Sequence, residues 1–200
     1  MKIAGAILAG GRSSRMGGNE KALRTIGTGT ILDRLIARLT SQTGTVIINA
    51  NGDPRRFAAH GLTVVPDIMT ELTTPLAGIH ASLVWAALNG IDWIVTVPTD
   101  TPFLPPDLVL RLLSAAEAAG AAVAASAGQT HFVIGAWRTS LADTLATAIV
   151  TDGLFRVKDW AARANAAVAH WPATPFDPFF NINTPEELAE GERIASEFGL

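Results

Sequence analysis

From Ile3 to Leu8 the chain carries no polar side chain, and the run stops at Gly10-Gly11. An apolar stretch this short reads as a buried strand rather than a helix, so the chain opens on a strand that ends abruptly in glycine. The segment that follows, from Leu8 to Lys21, is LAGGRSSRMGGNEK. Gly10, Gly11, Gly17 and Gly18 open backbone angles closed to other residues and let N–H groups approach a ligand closely. Arg12, Arg15 and Lys21 add cations in or beside the same turn. Exposed backbone donors together with fixed positive charge suit a polyphosphate, and the segment reads as a nucleoside triphosphate loop. Two better-known glycine motifs do not fit. A P-loop needs Gly-Lys followed by Ser or Thr, whereas Lys21 lies between Glu20 and Ala22; the spacing of Gly10, Gly11 and Gly17 does not supply G-x-G-x-x-G. A solvated glycine turn with incidental basic residues is the competing reading, but it leaves the clustered cations without a purpose.

A strand followed by a loop also constrains the rest of the chain, because its pattern must supply neighbours for that strand. Thr30 is placed to cap a helix to about Leu39, with Ile31, Leu32, Leu35, Ile36 and Leu39 on one face. Short apolar runs at Thr45–Asn49, Leu62–Val65 and Trp93–Val97 read as strands. They are separated by a small helix near Arg55–His60 and an apolar helix from Leu76 to about Leu88. Continuous apolar strands between helices indicate a mostly parallel sheet covered on both faces. In the second half, helices are expected from Asp107 to about Ala119, Ser140 to Ile149 and Phe155 to Arg163, with strands at Ala121–Ala125, Phe132–Trp137 and Ala166–His170. Thr184, Pro185 and Glu187 form a capping-box signature for the last helix. No repeat or linker divides the chain. The expected fold is α/β, a single doubly wound, Rossmann-like domain over residues 1–200.

Composition excludes several classes of function. Two hundred residues at 48% hydrophobic bury one good core. A net charge of −3 gives no general attraction for nucleic acid or an anionic membrane, and neither is expected as a partner. The absence of cysteine removes disulfides, thiolate catalysis and Cys-ligated zinc. No run approaches the roughly 20 apolar residues of a membrane span, and the short apolar start does not read as a signal peptide, so a cytoplasmic protein is expected.

Ligands of open α/β sheets bind beyond the carboxyl ends of the strands. Asn49, Asp67 and Asp100 each stand at such an end, as does the glycine loop, so four polar groups should converge on one crevice. Asp100 lies between Pro98 and Pro102, which fix the backbone around a hard oxygen ligand suited to Mg²⁺. Capping the turn before Asp107 is the competing role for Asp100, and ordinary turn residues are the competing reading of Asn49 and Asp67. A carboxylate such as Asp67 accepts from the adjacent N1–H and exocyclic amine of guanine, a pattern that cytosine does not present. His60, His80, His131 and His170 lack metal-ligand spacing, and the five tryptophans are too dispersed for a stacking platform; both sets read as packing or surface residues. Arg156 and Lys158 could reach an anionic phosphate, but a solvated helix face is the favoured account of them.

The pattern L-A-G-G-x-S-x-R-M-G-x-x-K, matched at Leu8, Ala9, Gly10, Gly11, Ser13, Arg15, Met16 and Gly17, resembles the opening of the molybdenum cofactor guanylyltransferase (MobA) family of nucleotidyltransferases. Lys21 falls one residue later than in that pattern. The P-x-D-x-P-F motif at Pro98–Phe103 and the N-x-N-T-P-E-E-L ending at Asn181–Leu188 match as well; Thr74 stands where the family's G-P-L-A-G loop usually has glycine. The resemblance implies transfer of GMP from GTP to molybdopterin, or its Mo-bearing form, with release of pyrophosphate. It implies a GTP site of Leu8, Ala9, Gly10, Gly11, Lys21, Asn49, Asp67 and Asp100, with Arg15, Lys21 and Asp100 serving the reaction and Asp100 holding Mg²⁺. It assigns Gly78, Asn181 and Asn183 to molybdopterin, so the N-terminal part takes the nucleotide and the C-terminal part the pterin. A molybdopterin cytidylyltransferase is the nearest alternative; its loop usually reads L-A-A-G, and Gly10 favours guanine. A non-catalytic carrier of the cofactor is the alternative from another class, and a molybdoenzyme or its chaperone is a partner compatible with either.

Overall fold

The structure is a computed structural model and describes residues 1–10 and 22–200. Its centre is a seven-stranded sheet built from β1 (Ile3–Leu8), β4 (Val46–Asn49), β5 (Thr63–Val65), β6 (Trp93–Pro98), β7 (Ala121–Ser126), β8 (Gln129–Arg138) and β9 (Ala167–His170), in the order β5-β4-β1-β6-β8-β7-β9. A small antiparallel ribbon of β2 (Thr25–Ile26) and β3 (Gly29–Thr30) turns at Gly27, whose φ of 62° favours glycine. Among the described residues the α-helices are α1 (Ile31–Thr43), α2 (Pro75–Leu88), α3 (Leu108–Ala116), α4 (Ala142–Val150), α5 (Val157–Arg163) and α6 (Pro185–Phe198). A 3₁₀ helix, Pro54–His60, stands where the small helix was expected.

Each apolar run expected as a strand forms one, and the doubly wound, mostly parallel arrangement is present. β8 is the exception to parallel pairing: it runs antiparallel to both β6 and β7. Ala127 and Gly128, with φ of 47° and 74°, make a two-residue connection between β7 and β8, and a connection that short joins only antiparallel strands. The same tight turn lengthens the strand, which starts at Gln129 rather than Phe132. The helix expected to reach Ala119 ends at Ala116, before Gly120 at φ 75°.

Side chains alternating across the sheet divide the core in two. Ile7, Trp93, Val95 and Val97 face the layer that includes α1, α3 and α6, while Ala4, Ala6, Leu8 and Ile94 face α2, α4 and α5. Helix α1 is held at its start by a capping box in which Thr30 accepts from the Asp33 N–H and Asp33 accepts from the Thr30 N–H. Thr184 and Glu187 form the same device at α6, as the sequence pattern specifies. Trp137 and Trp160 are fully buried, with ring centroids 6.3 Å apart, and Trp93 and Trp171 are also core residues. Among the described residues no helix is long and apolar enough to cross a membrane.

Candidate active site

Strand register explains why the polar residues meet. Val65 of β5 pairs with Asn49 of β4, Asn49 with Leu8 of β1, and Leu8 with Pro98 of β6. These four residues form one row across the sheet at its carboxyl edge. Two positions beyond them lie Asp67, Asn51, Gly10 and Asp100. The pairing register therefore sets these four positions beyond the carboxyl ends of four adjacent strands, the edge where ligands of such sheets bind.

Asn49 is the buried pivot of this edge, only 1% exposed. Its Nδ2 donates to the Val65 carbonyl at 3.1 Å and to Asp67 Oδ1 at 2.9 Å. Its backbone carbonyl accepts from the Ala9 N–H at 2.8 Å, fixing the start of the loop after β1. A buried amide costs free energy unless its donors are used, and here both are. Asp67 is gripped from its other side by Asn51, whose Nδ2 donates to Asp67 Oδ2 at 2.7 Å and whose Oδ1 accepts the Asp67 N–H at 2.9 Å. Arg56 in turn donates to the Asn51 carbonyl at 2.6 Å, with its guanidinium stacked 4.8 Å from the Phe57 ring centroid.

Two glycines fit closely against this cluster. A Cβ at Gly10 would lie 3.5 Å from Asn49 Oδ1 and 3.9 Å from Asp67 Oδ2. A Cβ at Gly78 would lie 2.2 Å from Asn49 Oδ1, so α2 approaches Asn49 closely because residue 78 has no side chain. By contact, Gly78 belongs with Asn49 and Gly10; the resemblance grouped it with Asn181 and Asn183. Thr74, where glycine was expected, is the N-cap of α2: its Oγ1 accepts from the Leu76 N–H and donates to the Phe155 carbonyl at 2.8 Å.

Asp100 is half-buried beyond β6. It does not cap α3, whose N-cap position is Asp107; that carboxylate instead accepts from Trp171 Nε1 at 2.8 Å and from Arg111 Nε at 2.7 Å. The Asp100 carbonyl accepts from the Ile182 N–H at 2.9 Å, which joins the loop after β6 to the segment leading into α6. Ile182 is buried, and its neighbours Asn181 and Asn183 are exposed. The structure thus brings Gly10, Asn49, Asp67 and Gly78 together, and places Asn181 and Asn183 on the segment bonded to Asp100. Gly11, Arg15 and Lys21 lie outside the described residues. Sequence reasoning missed Asn51, although its place two residues beyond a strand end, as for Asp67 and Asp100, was a usable signal.

The histidines follow the packing expectation. His80 is buried in α2, and burial lowers its imidazole pKa, with Asp143 opposing part of the shift. His131 is lowered for the same reason, against the opposing charge of Asp177. Its Nε2 is 2.9 Å from Ser126 Oγ.

A family model for the MobA-like NTP transferase domain matches residues 5–168. A molybdenum cofactor guanylyltransferase of Nitrobacter hamburgensis is 50% identical over 196 residues, covering 96% of this chain and 94% of that protein. One from Bradyrhizobium sp. is 48% identical over 198 residues, covering 97% and 93%. Among solved structures, molybdopterin-guanine dinucleotide biosynthesis protein A from Archaeoglobus fulgidus superposes with a TM-score of 0.71 at 23% identity, covering 97% of this chain and 99% of that one. CMP:2-keto-3-deoxy-manno-octonic acid synthetase complexed with CTP gives a TM-score of 0.74 at 15% identity, covering 99% of this chain and 100% of that one. The two structural likenesses establish a shared fold.

Proposed function

The chain belongs to the MobA-like NTP transferase family, and from that premise we infer that it transfers GMP from GTP to molybdopterin or Mo-molybdopterin, releasing pyrophosphate. It is a nucleotidyltransferase of molybdenum cofactor biosynthesis. The observation that carries the site reading is the row of register partners Val65, Asn49, Leu8 and Pro98, which starts four loops side by side. Leu8, Ala9, Gly10 and Gly11 begin the nucleotide loop; Asn49 and Asp67 take the base side, with Asp67 accepting from the N1–H and amine of guanine. Asp100 would hold a divalent cation, Mg²⁺, because its carboxylate is a hard oxygen donor beyond the end of β6. Bound there, the metal supplies charge stabilisation to the triphosphate.

Arg15 and Lys21 supply cations to the triphosphate and the departing pyrophosphate. A phosphate oxygen of molybdopterin forms the new bond to the α-phosphorus of GTP as the bond from that phosphorus to the bridging oxygen breaks. No protein nucleophile is required, and the protein contributes alignment and electrostatics. Asn181 and Asn183 meet the pterin, whose edge suits side chains that donate and accept together. The Ile182–Asp100 hydrogen bond supports this, since it ties the pterin segment to the metal loop. The N-terminal part of one domain thereby serves the nucleotide and the C-terminal part the second substrate. Molybdoenzymes or their chaperones would take the product.

The test is nucleotide transfer to molybdopterin with GTP and CTP in parallel, with Mg²⁺, following pyrophosphate and dinucleotide for the native chain and Asp100→Ala. GTP-dependent product that falls at least about a hundredfold in the variant is expected, as for loss of one strong transition-state contact. A preference for CTP would assign the sister activity. Nucleotide binding without pyrophosphate release would leave a carrier.

A further inference from the structure

We propose that Asn51 is a specificity-determining positioning residue, which sets the direction in which Asp67 presents its carboxylate to the nucleobase. The proposal rests on the reading of Asp67 as the base acceptor. A carboxylate on a single rotatable stem selects between bases only when its plane is fixed, because the paired N1–H and amine of guanine must meet both oxygens at once. Asp67 is fixed from both sides: Asn49 donates to Oδ1 and Asn51 to Oδ2. Each oxygen keeps a further lone pair, so the two amides restrict the carboxylate without saturating it.

The two clamps differ in character. Asn49 is buried and also holds the Val65 carbonyl, so it belongs to the framework of the sheet edge. Asn51 is exposed. Its side chain spends both polar atoms on residue 67, one on the carboxylate and one on the backbone N–H. An exposed amide satisfied by water would gain little stability from such a clasp, so its effect falls on orientation rather than on folding. Its own backbone is anchored by Arg56, which is braced on Phe57. Removing the Asn51 side chain leaves Asp67 charged and still bonded to Asn49, but free to rotate about that single contact.

The base lies away from the reacting phosphorus, so loosening its contact weakens ground and transition states alike, raising KM for GTP while kcat holds. The experiment compares Asn51→Ala, Asp67→Asn and the exchanged pair Asn51→Asp/Asp67→Asn. It measures kcat and KM with GTP and with CTP on the full chain, beside thermal melting. For Asn51→Ala the expected result is a loss of about tenfold in the GTP-over-CTP ratio of kcat/KM, carried by KM, against the range of one bidentate base contact. Its melting temperature is expected to stay within about two degrees of native, as for an exposed substitution. The exchanged pair can rebuild the clasp but turns an amide to the base, so its GTP preference is expected to fall as far as in Asp67→Asn; a retained preference would overturn the base reading and the proposal with it. An unchanged ratio in Asn51→Ala, with a reduced ratio in Asp67→Asn, overturns the proposal and leaves Asp67 as the base reader. An unchanged ratio in Asp67→Asn removes the base reading itself, and the proposal with it.

Discussion

Gly78→Ala tests whether the close approach of α2 to Asn49 holds the nucleotide edge together. The added methyl would sit 2.2 Å from Asn49 Oδ1 and 3.0 Å from its Cγ, well inside van der Waals contact. Asn49 has little room to yield, being 1% exposed and bonded through Nδ2 to both Val65 and Asp67. The helix has little room either, since Leu76, Ala77 and Ile79 are fully buried around residue 78. Overpacking of this kind costs roughly 1–3 kcal/mol, and displacing Asn49 removes hydrogen bonds worth about 1 kcal/mol each. Against that, alanine gains about 1 kcal/mol over glycine inside a helix. The balance is a loss of about 3 kcal/mol, or roughly 6–12 °C in melting temperature for a domain of this size. Urea unfolding and KM for GTP measure it, and KM should rise because Asp67 loses its inner clamp. Gly191→Ala is the control: its methyl would lie 2.7 Å from Ile182 Cδ1, the far end of a side chain rather than a hydrogen-bonded amide, so the loss should be smaller than for Gly78→Ala. Adding Asn49→Ala to Gly78→Ala should recover packing stability without recovering KM. Native stability and native KM in Gly78→Ala would refute the reasoning.

Two further expectations concern the other face of α2 and the β6–β8 seam. Thr96 is fully buried, donates to the Val133 carbonyl at 2.8 Å and accepts from Trp137 Nε1 at 3.0 Å, so Thr96→Val strands two polar groups and should cost about 2 kcal/mol in denaturant unfolding. His80 is buried with its pKa lowered from 6.5, so the unfolded chain takes up a proton that the folded chain resists; stability is complete above about pH 6.5 and falls as pH drops below it. His131 contributes in the same direction. His80→Gln should therefore make the loss between about pH 6.5 and pH 5 shallower, read from urea midpoints, and an unchanged slope would remove His80 from the account.

Most of the fold was legible because each apolar run had its own punctuation. Thr30 and Thr184 cap where the pattern says, and the strand edges fall within a few residues of expectation. What escaped was set by turn geometry and by distant partners. The reversed direction of β8 depends on positive φ at Ala127 and Gly128, and alanine gives no warning of that conformation. The β2–β3 ribbon consists of pairs too short to show a period of two. At the site, Asn49 and Asp67 were visible as strand-end polar residues, yet the link between them runs across two strands and no local pattern encodes it. Gly78 carried a helical signature, and its reason for lacking a side chain is Asn49, far away in sequence.

On the proposed reading, the two tasks that a nucleotidyltransferase must perform together fall to different parts of the sheet edge. Asn49, Asn51 and Asp67 stand at the ends of β4 and β5, on one side of β1. Asp100 stands beyond β6, on the other side, and is tied through its carbonyl to the segment carrying Asn181 and Asn183. β1 contributes Gly10 between them and is hydrogen-bonded to both neighbours along its length. On the proposed assignment, base selection and metal-assisted chemistry rest on different strands of one sheet, with β1 between them. Perturbations at Asp67 or Asn51 should therefore add to those at Asp100 rather than mask them, because the two sets leave strands on opposite sides of β1.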